Sequence, residues 1–137
     1  MRTKLAIILF LLCGVGLSGC KKDDQVKGVL KDLDSFTTEL VKKVEASPDP
    51  SIGVDEAQKF MDAKKSDLQT KLQTLQGVRG FQVSDDTKKT MTESITKNVS
   101  SVAALQIKYV TRSVKDSAFK SKLEKFVKEY TNLIKLS

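Results

Sequence analysis

Apolar residues recur three and four positions apart along four stretches of the chain, with charged residues between them. At 100° per residue such positions fall on one side of a helix, so each stretch predicts an amphipathic helix. The first helix should begin at Val26, the second should cover residues 54–76, the third should begin after Ser84, and the fourth should end near Lys135. Four such helices joined by short connections predict an all-α fold, an up-down-up-down four-helix bundle.

Proline and glycine mark two of the three connections. Pro48 and Pro50 cannot continue the first helix, so it should stop before residues 47–53. Gly77 and Gly80 predict a C-cap and a turn, and Ser84 is a suitable N-cap for the third helix.

The third connection has no such marker. The apolar stripe after residue 117 is rotated by about a quarter turn from the stripe before residue 110, which predicts a break near residues 111–113. Ser113 and Asp116 could then form a capping box. A three-helix arrangement with one long, kinked third helix is the alternative.

The inward-facing residues of the four stripes form the predicted core. They are Val29, Leu33, Phe36, Leu40, Val44, Phe60, Leu68, Leu72, Leu75, Met91, Ile95, Val99, Val102, Phe119, Leu123, Phe126 and Tyr130.

The first 20 residues have a different pattern. Arg2 and Lys4 precede an apolar run over residues 5–13, and the stretch ends in Leu17-Ser18-Gly19-Cys20. A basic start, a short apolar run and small residues at the end are typical of a secretory signal peptide. The last four residues resemble the lipobox of bacterial lipoproteins.

This resemblance implies cleavage before Cys20 and a diacylglycerol thioether on its sulfur. The chain then divides into a cleaved signal peptide (1–19), a lipidated polar spacer (20–25) and a helical bundle domain (26–137). An ordinary thiol after a plain signal peptide is the alternative for Cys20. Cys13 lies in the apolar run and would be removed, so the mature chain would have no disulfide.

The lipoprotein resemblance also predicts where the protein resides: the cell envelope, with the membrane as a partner through the lipid anchor. Lys21 follows the cysteine where an aspartate would be associated with retention in the inner membrane. In a Gram-negative source this favours the outer membrane, with the domain facing the periplasm.

Composition argues against several function classes. Without Arg2 and Lys4 the chain keeps 22 basic and 17 acidic residues, and only Arg79 and Arg112 among the basic ones are arginines. Nucleic acid is therefore a poor partner, since its recognition depends on arginine clusters and stacking aromatics. The chain has no histidine, so we expect no metal site of His and Cys, no catalytic residues and no cofactor besides the lipid.

Two polar residues fall within apolar stripes. Asn98 lies on the inner face of the third helix, where a lone asparagine can fix the register of a bundle or contact a ligand. Lys64 lies within the stripe of the second helix, and we expect its amine to reach water at the helix edge. A pocket around Asn98 and Lys64 would make the protein a binder of small ligands or peptides.

The connection between the second and third helices carries Val78, Arg79 and Phe81. In an up-down bundle it returns to the lipidated end, where two apolar residues beside a cation suit an anionic headgroup layer. The alternative is that Val78 and Phe81 plug the open end of the bundle. The connections at the opposite end would face partners.

These features favour a non-enzymatic, membrane-anchored envelope lipoprotein. It would act as an accessory or scaffold protein that contacts another, unidentified envelope protein. The alternative function is the binding of small ligands or peptides between the helices.

Overall fold

Five helices form the part of the chain that the computed structural model describes, residues 18–78 and 82–135. They are α1 (Ser18–Ala46), α2 (Pro50–Gln76), α3 (Asp85–Lys108), α4 (Val110–Lys115) and α5 (Ser117–Ile134). The predicted all-α four-helix bundle is confirmed, with α1, α2, α3 and α5 as its long helices. Most of the predicted signal peptide, residues 1–17, lies outside the described residues.

Helix α1 begins eight residues before its predicted start at Val26, at Ser18. The segment expected to be an extended spacer, residues 21–25, instead forms the first turns of this helix. An amphipathic pattern reveals a helix only where apolar residues recur, and this segment has none. At 1.5 Å per residue these five residues span roughly 8 Å, less than half of the extended length.

Helix α2 also begins earlier than predicted, at Pro50 instead of Val54. Proline is tolerated at the first position of a helix because the amide hydrogen that it lacks would have no partner there. Asp49 is the N-cap, and its Oδ1 accepts a hydrogen bond from Ser51 N at 2.8 Å.

The break after α3 comes at Tyr109, just before the predicted residues 111–113. The short helix α4 follows, and α5 begins after Asp116, whose Oδ1 accepts a hydrogen bond from Phe119 N at 2.9 Å. The proposed capping box of Ser113 and Asp116 is therefore wrong, because Ser113 lies inside α4 and Asp116 is the cap itself. The kinked three-helix alternative is excluded as well.

The long helices alternate in direction along the chain. Ser84 N, just before α3, donates a hydrogen bond to Asp23 Oδ1 near the start of α1 at 2.9 Å. At the other end Lys108 Nζ lies 2.6 Å from Glu45 Oε1. We call these the proximal end, where α1 begins, and the distal end, where α1 stops. Helices α1 and α3 both run from proximal to distal, and α2 and α5 run back.

Neighbouring helices in space are not always neighbours in sequence. Helix α1 packs against α2 and α3, and α5 packs against the same two helices. Within the described residues α2 does not pack against α3. Helices α2 and α3 therefore lie diagonally opposite each other in the bundle, and α1 and α3 form a parallel neighbouring pair.

The core runs the length of the bundle and largely matches the prediction. Four residues of the predicted core, Phe60, Met91, Ile95 and Val99, are only partly buried and pack against its edge. Three of them lie on α3, because its innermost positions there are polar, with Thr87 and Asn98 buried. Phe36 stacks on Phe60 and Tyr130 with ring centroids 5.6 and 6.4 Å apart, which joins α1 to α2 and α5.

Candidate functional site

A layer of polar side chains lies between α1, α3 and α5. It consists of Asp34, Thr37, Ser94, Asn98 and Tyr130, and we call it the polar layer. Asp34 Oδ1 accepts hydrogen bonds from Ser94 Oγ at 3.0 Å and from Asn98 Nδ2. Asn98 Nδ2 also donates to Ser94 O at 2.8 Å. Since Asn98 is buried, this network links α1 to α3 at one defined register.

The other half of the polar layer is a chain of two hydroxyl groups. Thr37 Oγ1 donates to Leu33 O at 2.9 Å and lies 2.5 Å from the Tyr130 hydroxyl. Because the single Thr37 hydrogen goes to the carbonyl, the Tyr130 hydroxyl is the donor in the second bond. Burial raises the pKa of Tyr130 to about 12. Tyr130 is thus a neutral donor across the physiological range.

An open groove with a volume of about 530 Å³ lies above the polar layer, between the distal halves of α1 and α3. Its floor is formed by Asp34, Thr37 and Asn98, and Val41 adds an apolar surface. Lys42, Glu45 and Lys97 stand on its rim, so the groove offers charges of both signs. We call it the α1–α3 groove.

The two polar residues singled out in the sequence lie in different environments. Asn98 is buried at the floor of the α1–α3 groove, whereas Lys64 is exposed on α2. Since α2 does not pack against α3 within the described residues, the structure does not bring Lys64 and Asn98 together. The expected pocket between them is wrong, and Asp34 and Thr37 take the place of Lys64. In the sequence, the only indication of Asp34 and Thr37 was their spacing: two polar residues three positions apart along the edge of the apolar stripe of α1.

We expect the substitution Asn98→Asp to destabilise the protein at neutral pH. It replaces the amide donor to Asp34 with a second carboxylate, which adds repulsion and desolvation to the lost hydrogen bond. The free energy of unfolding at pH 7 should fall by about 2 to 3 kcal/mol. Lowering the pH to about 4.5 should recover much of the loss, because one of the two carboxylates takes up a proton there. Urea unfolding at both pH values measures this.

Asn132→Asp is the matched control, since Asn132 is exposed on α5. It makes the same chemical change at a solvent-exposed position, and it should change stability by no more than about 0.5 kcal/mol. An equal loss for Asn98→Asp at pH 7 and pH 4.5 would show that the Asp34 contact does not have the role described.

The distal end carries a second feature. Four large apolar side chains are exposed in the described part of the chain: Ile52 (55%), Ile107 (78%), Val110 (54%) and Val114 (82%). Ile52 lies in the first turn of α2, Ile107 lies in the last turn of α3, and the two valines lie on α4. All four are therefore at the distal end, the end farthest from Cys20.

Helix α4 is attached to the bundle through a polar side chain. The Arg112 guanidinium lies 2.8 Å from Asp49 Oδ1 and 4.8 Å from the centroid of the Phe119 ring. At 100° per residue, Val110 and Val114 are each two positions from Arg112 and project on the opposite side of the helix. No residue of α4 is buried. The apolar side of this helix consequently faces solvent.

At the proximal end, the first turns of α1 contact the residue that precedes α3. The hydrogen bond from Ser84 N holds the pKa of Asp23 below its usual value and fixes the start of α3 beside α1. Val78 is half-buried and packs against the core. Arg79 and Phe81, the other residues of the candidate membrane-proximal loop, lie outside the described residues. The backbone of Cys20, the predicted lipidation site, lies in the first turn of α1.

Neither a metal centre nor a membrane span occurs among the described residues. No group of three or more His, Cys, Asp or Glu side chains within residues 18–78 and 82–135 is arranged to hold a metal ion. In the same ranges, no helix combines the length and the apolar composition that a membrane span requires. Comparison of the chain with protein-family models, with curated proteins and with solved structures gives no match.

Proposed function

We propose that this protein is a non-enzymatic lipoprotein of the cell envelope, anchored by lipid on Cys20, that serves as an accessory or scaffold for another envelope component. The observation that carries the proposal is the distribution of exposed apolar residues. The large apolar side chains exposed in the described part of the chain all lie at the distal end, opposite the predicted lipidation site. One end is suited to anchoring and the other to contact.

The continuity of α1 supports this division of roles. The helix runs without interruption from Ser18 to Ala46, so Cys20 and the distal end are joined by one rigid element. At 1.5 Å per residue the distance between them is about 40 Å. With the bundle upright on the bilayer, a lipidated Cys20 would therefore place the distal end about 40 Å from the membrane surface.

Substitution of Cys20 tests the anchor. We expect Cys20→Ser to leave the protein soluble or as an uncleaved precursor, because durable attachment depends on the acyl chains. Fractionation of cells, a salt wash of the membranes and the mass of the mature protein measure the outcome.

Cys13→Ser is the control. It changes the other cysteine, inside the predicted signal peptide, and should leave cleavage and membrane attachment intact. A Cys20→Ser protein that is cleaved and still sediments with salt-washed membranes would refute the lipid anchor.

The α1–α3 groove favours a second candidate function, the binding of a small ligand or peptide. It has a polar floor containing Asn98, an apolar wall and charged rim residues, which is a common composition for a ligand site. Against this, every buried side-chain polar atom in the described residues already has a hydrogen-bond partner. The floor of the groove is therefore satisfied without a ligand, and we rank this function second.

A further inference from the structure

The exposed apolar side of α4 has basic surroundings. Between Glu93 and Asp116 the chain contains four basic residues and no acidic one. Two of the four, Lys108 and Lys115, flank the exposed valines in sequence, and both are exposed. Lys108 is partly neutralised by Glu45, whereas Lys115 forms no ion pair within the described part of the chain. Exposed apolar and basic side chains thus occur together along residues 107–115.

We propose that this surface, formed by Ile107, Val110 and Val114 with Lys108 and Lys115, docks on a protein surface that has an apolar centre and an acidic rim. We call it the distal face. Exposed apolar side chains bordered by polar ones are typical of interaction sites, and charge complementarity selects an acidic partner. The inference rests on the proposed function, because the lipid anchor would keep the distal face within reach of other envelope proteins.

The distance between Cys20 and the distal face argues against two other occupants of this face, the anchoring membrane and a second copy of the chain. Cys20 and the distal face are about 40 Å apart along α1, so this face would touch the bilayer that holds Cys20 only if the bundle lay flat on it. Two upright copies that met through their distal faces would place their anchors about 80 Å apart, at opposite ends of the pair. A separate envelope protein can meet the distal face of an upright bundle.

Photocrosslinking in intact cells that produce the full chain tests the proposal. The probe is p-benzoylphenylalanine, placed at position 114 on the distal face, at position 42 in the α1–α3 groove, and at position 128 on the exposed side of α5. We expect a crosslinked protein from position 114 and no comparable product from position 128. Mass spectrometry of the product should map the attachment to a segment of net negative charge.

Charge substitutions at Lys115 provide the second measurement. Lys115→Glu should lower the crosslink yield from position 114 by about tenfold, because it places a like charge opposite the acidic rim of the partner. Lys115→Arg and the remote charge reversal Lys128→Glu should both keep the yield. Circular dichroism of each variant confirms that the bundle is folded.

Three kinds of result would overturn the proposal. These are a crosslink from position 114 to lipid or to a second copy of the chain, attachment to a segment that is not acidic, or a yield that Lys115→Glu does not change. A membrane-anchored chain that crosslinks from position 42 and not from position 114 would refute the distal face and leave the proposed function standing. A crosslink from position 114 that persists in a chain with no lipid on Cys20 would refute the lipid anchor and leave the distal face standing.

Discussion

Gly53→Ala is expected to lower the free energy of unfolding by about 3 kcal/mol, a large loss for a single methyl group. A Cβ atom at position 53 would lie 2.7 Å from Val44 O, 2.9 Å from Lys43 O and 2.9 Å from Val44 Cα. All three are backbone atoms of α1, so no side chain can rotate away. The methyl group must push α1 and α2 apart near the distal end, where buried Val44 and Val54 would lose contacts.

Gly28→Ala is the matched control for this prediction. Gly28 is exposed in the middle of α1, and a Cβ atom there would meet nothing within 4 Å. Since alanine favours a helix over glycine, this substitution should raise stability by up to about 1 kcal/mol. Chemical denaturation of both variants measures the contrast. Two substitutions with the same effect would show that α1 and α2 do not approach as closely at Gly53 as described.

Alkaline pH is expected to destabilise the protein through Tyr130. Burial raises the pKa of its hydroxyl to about 12, from 10.0 in the unfolded chain. The folded protein therefore holds this proton more tightly than the unfolded chain does. The resulting stabilisation is complete below pH 10 and is lost as the pH rises from 10 to 12. The loss from this group should reach about 1.4 kcal/mol at pH 11 and approach 3 kcal/mol above pH 12.

Tyr130→Phe separates this effect from the titration of the lysines. The variant should be less stable than the wild type by about 1 kcal/mol at pH 7, because the hydrogen bond to Thr37 is lost. The wild type should then lose this advantage between pH 10 and pH 11. Tyr109→Phe, at a half-buried position, serves as the control for removing a phenol. A difference between wild type and Tyr130→Phe that stays constant from pH 8 to pH 11 would contradict the prediction.

The helix boundaries show where local signals suffice. Ser84 was predicted as an N-cap, and its side chain accepts a hydrogen bond from Thr87 N in that role. The end of the first helix before Pro48 was also predicted, because proline acts on the backbone beside it. The starts of α1 and α2 were missed by eight and four residues. Their first turns lack the repeating apolar residues from which an amphipathic helix is recognised.

The candidate sites were predicted less completely. Asn98 stood out because it interrupts an apolar stripe, but its partner Asp34 lies 64 residues away in the chain and resembles any other charged residue near a helix edge. The connections at the distal end were predicted to face partners, but the exposed apolar residues of the distal face were not predicted. Apolar residues such as Val110 and Val114 suggest burial, and only the contact of Arg112 with Asp49 and Phe119 reveals that α4 faces the bundle with its other side.

Local sequence patterns predict the helices, most of the inward-facing residues and the polar residue that interrupts the third stripe, since these depend on residues within a few turns of one another. Which helices are neighbours depends instead on contacts between distant parts of the chain. An apolar stripe can pack against any other apolar stripe, and so it does not distinguish α1 beside α3 from α2 beside α3. Contacts between distant residues make that choice: Asp34 with Asn98 and Asp23 with Ser84 hold α3 parallel to α1. The α1–α3 groove and the outward side of α4 result from that arrangement.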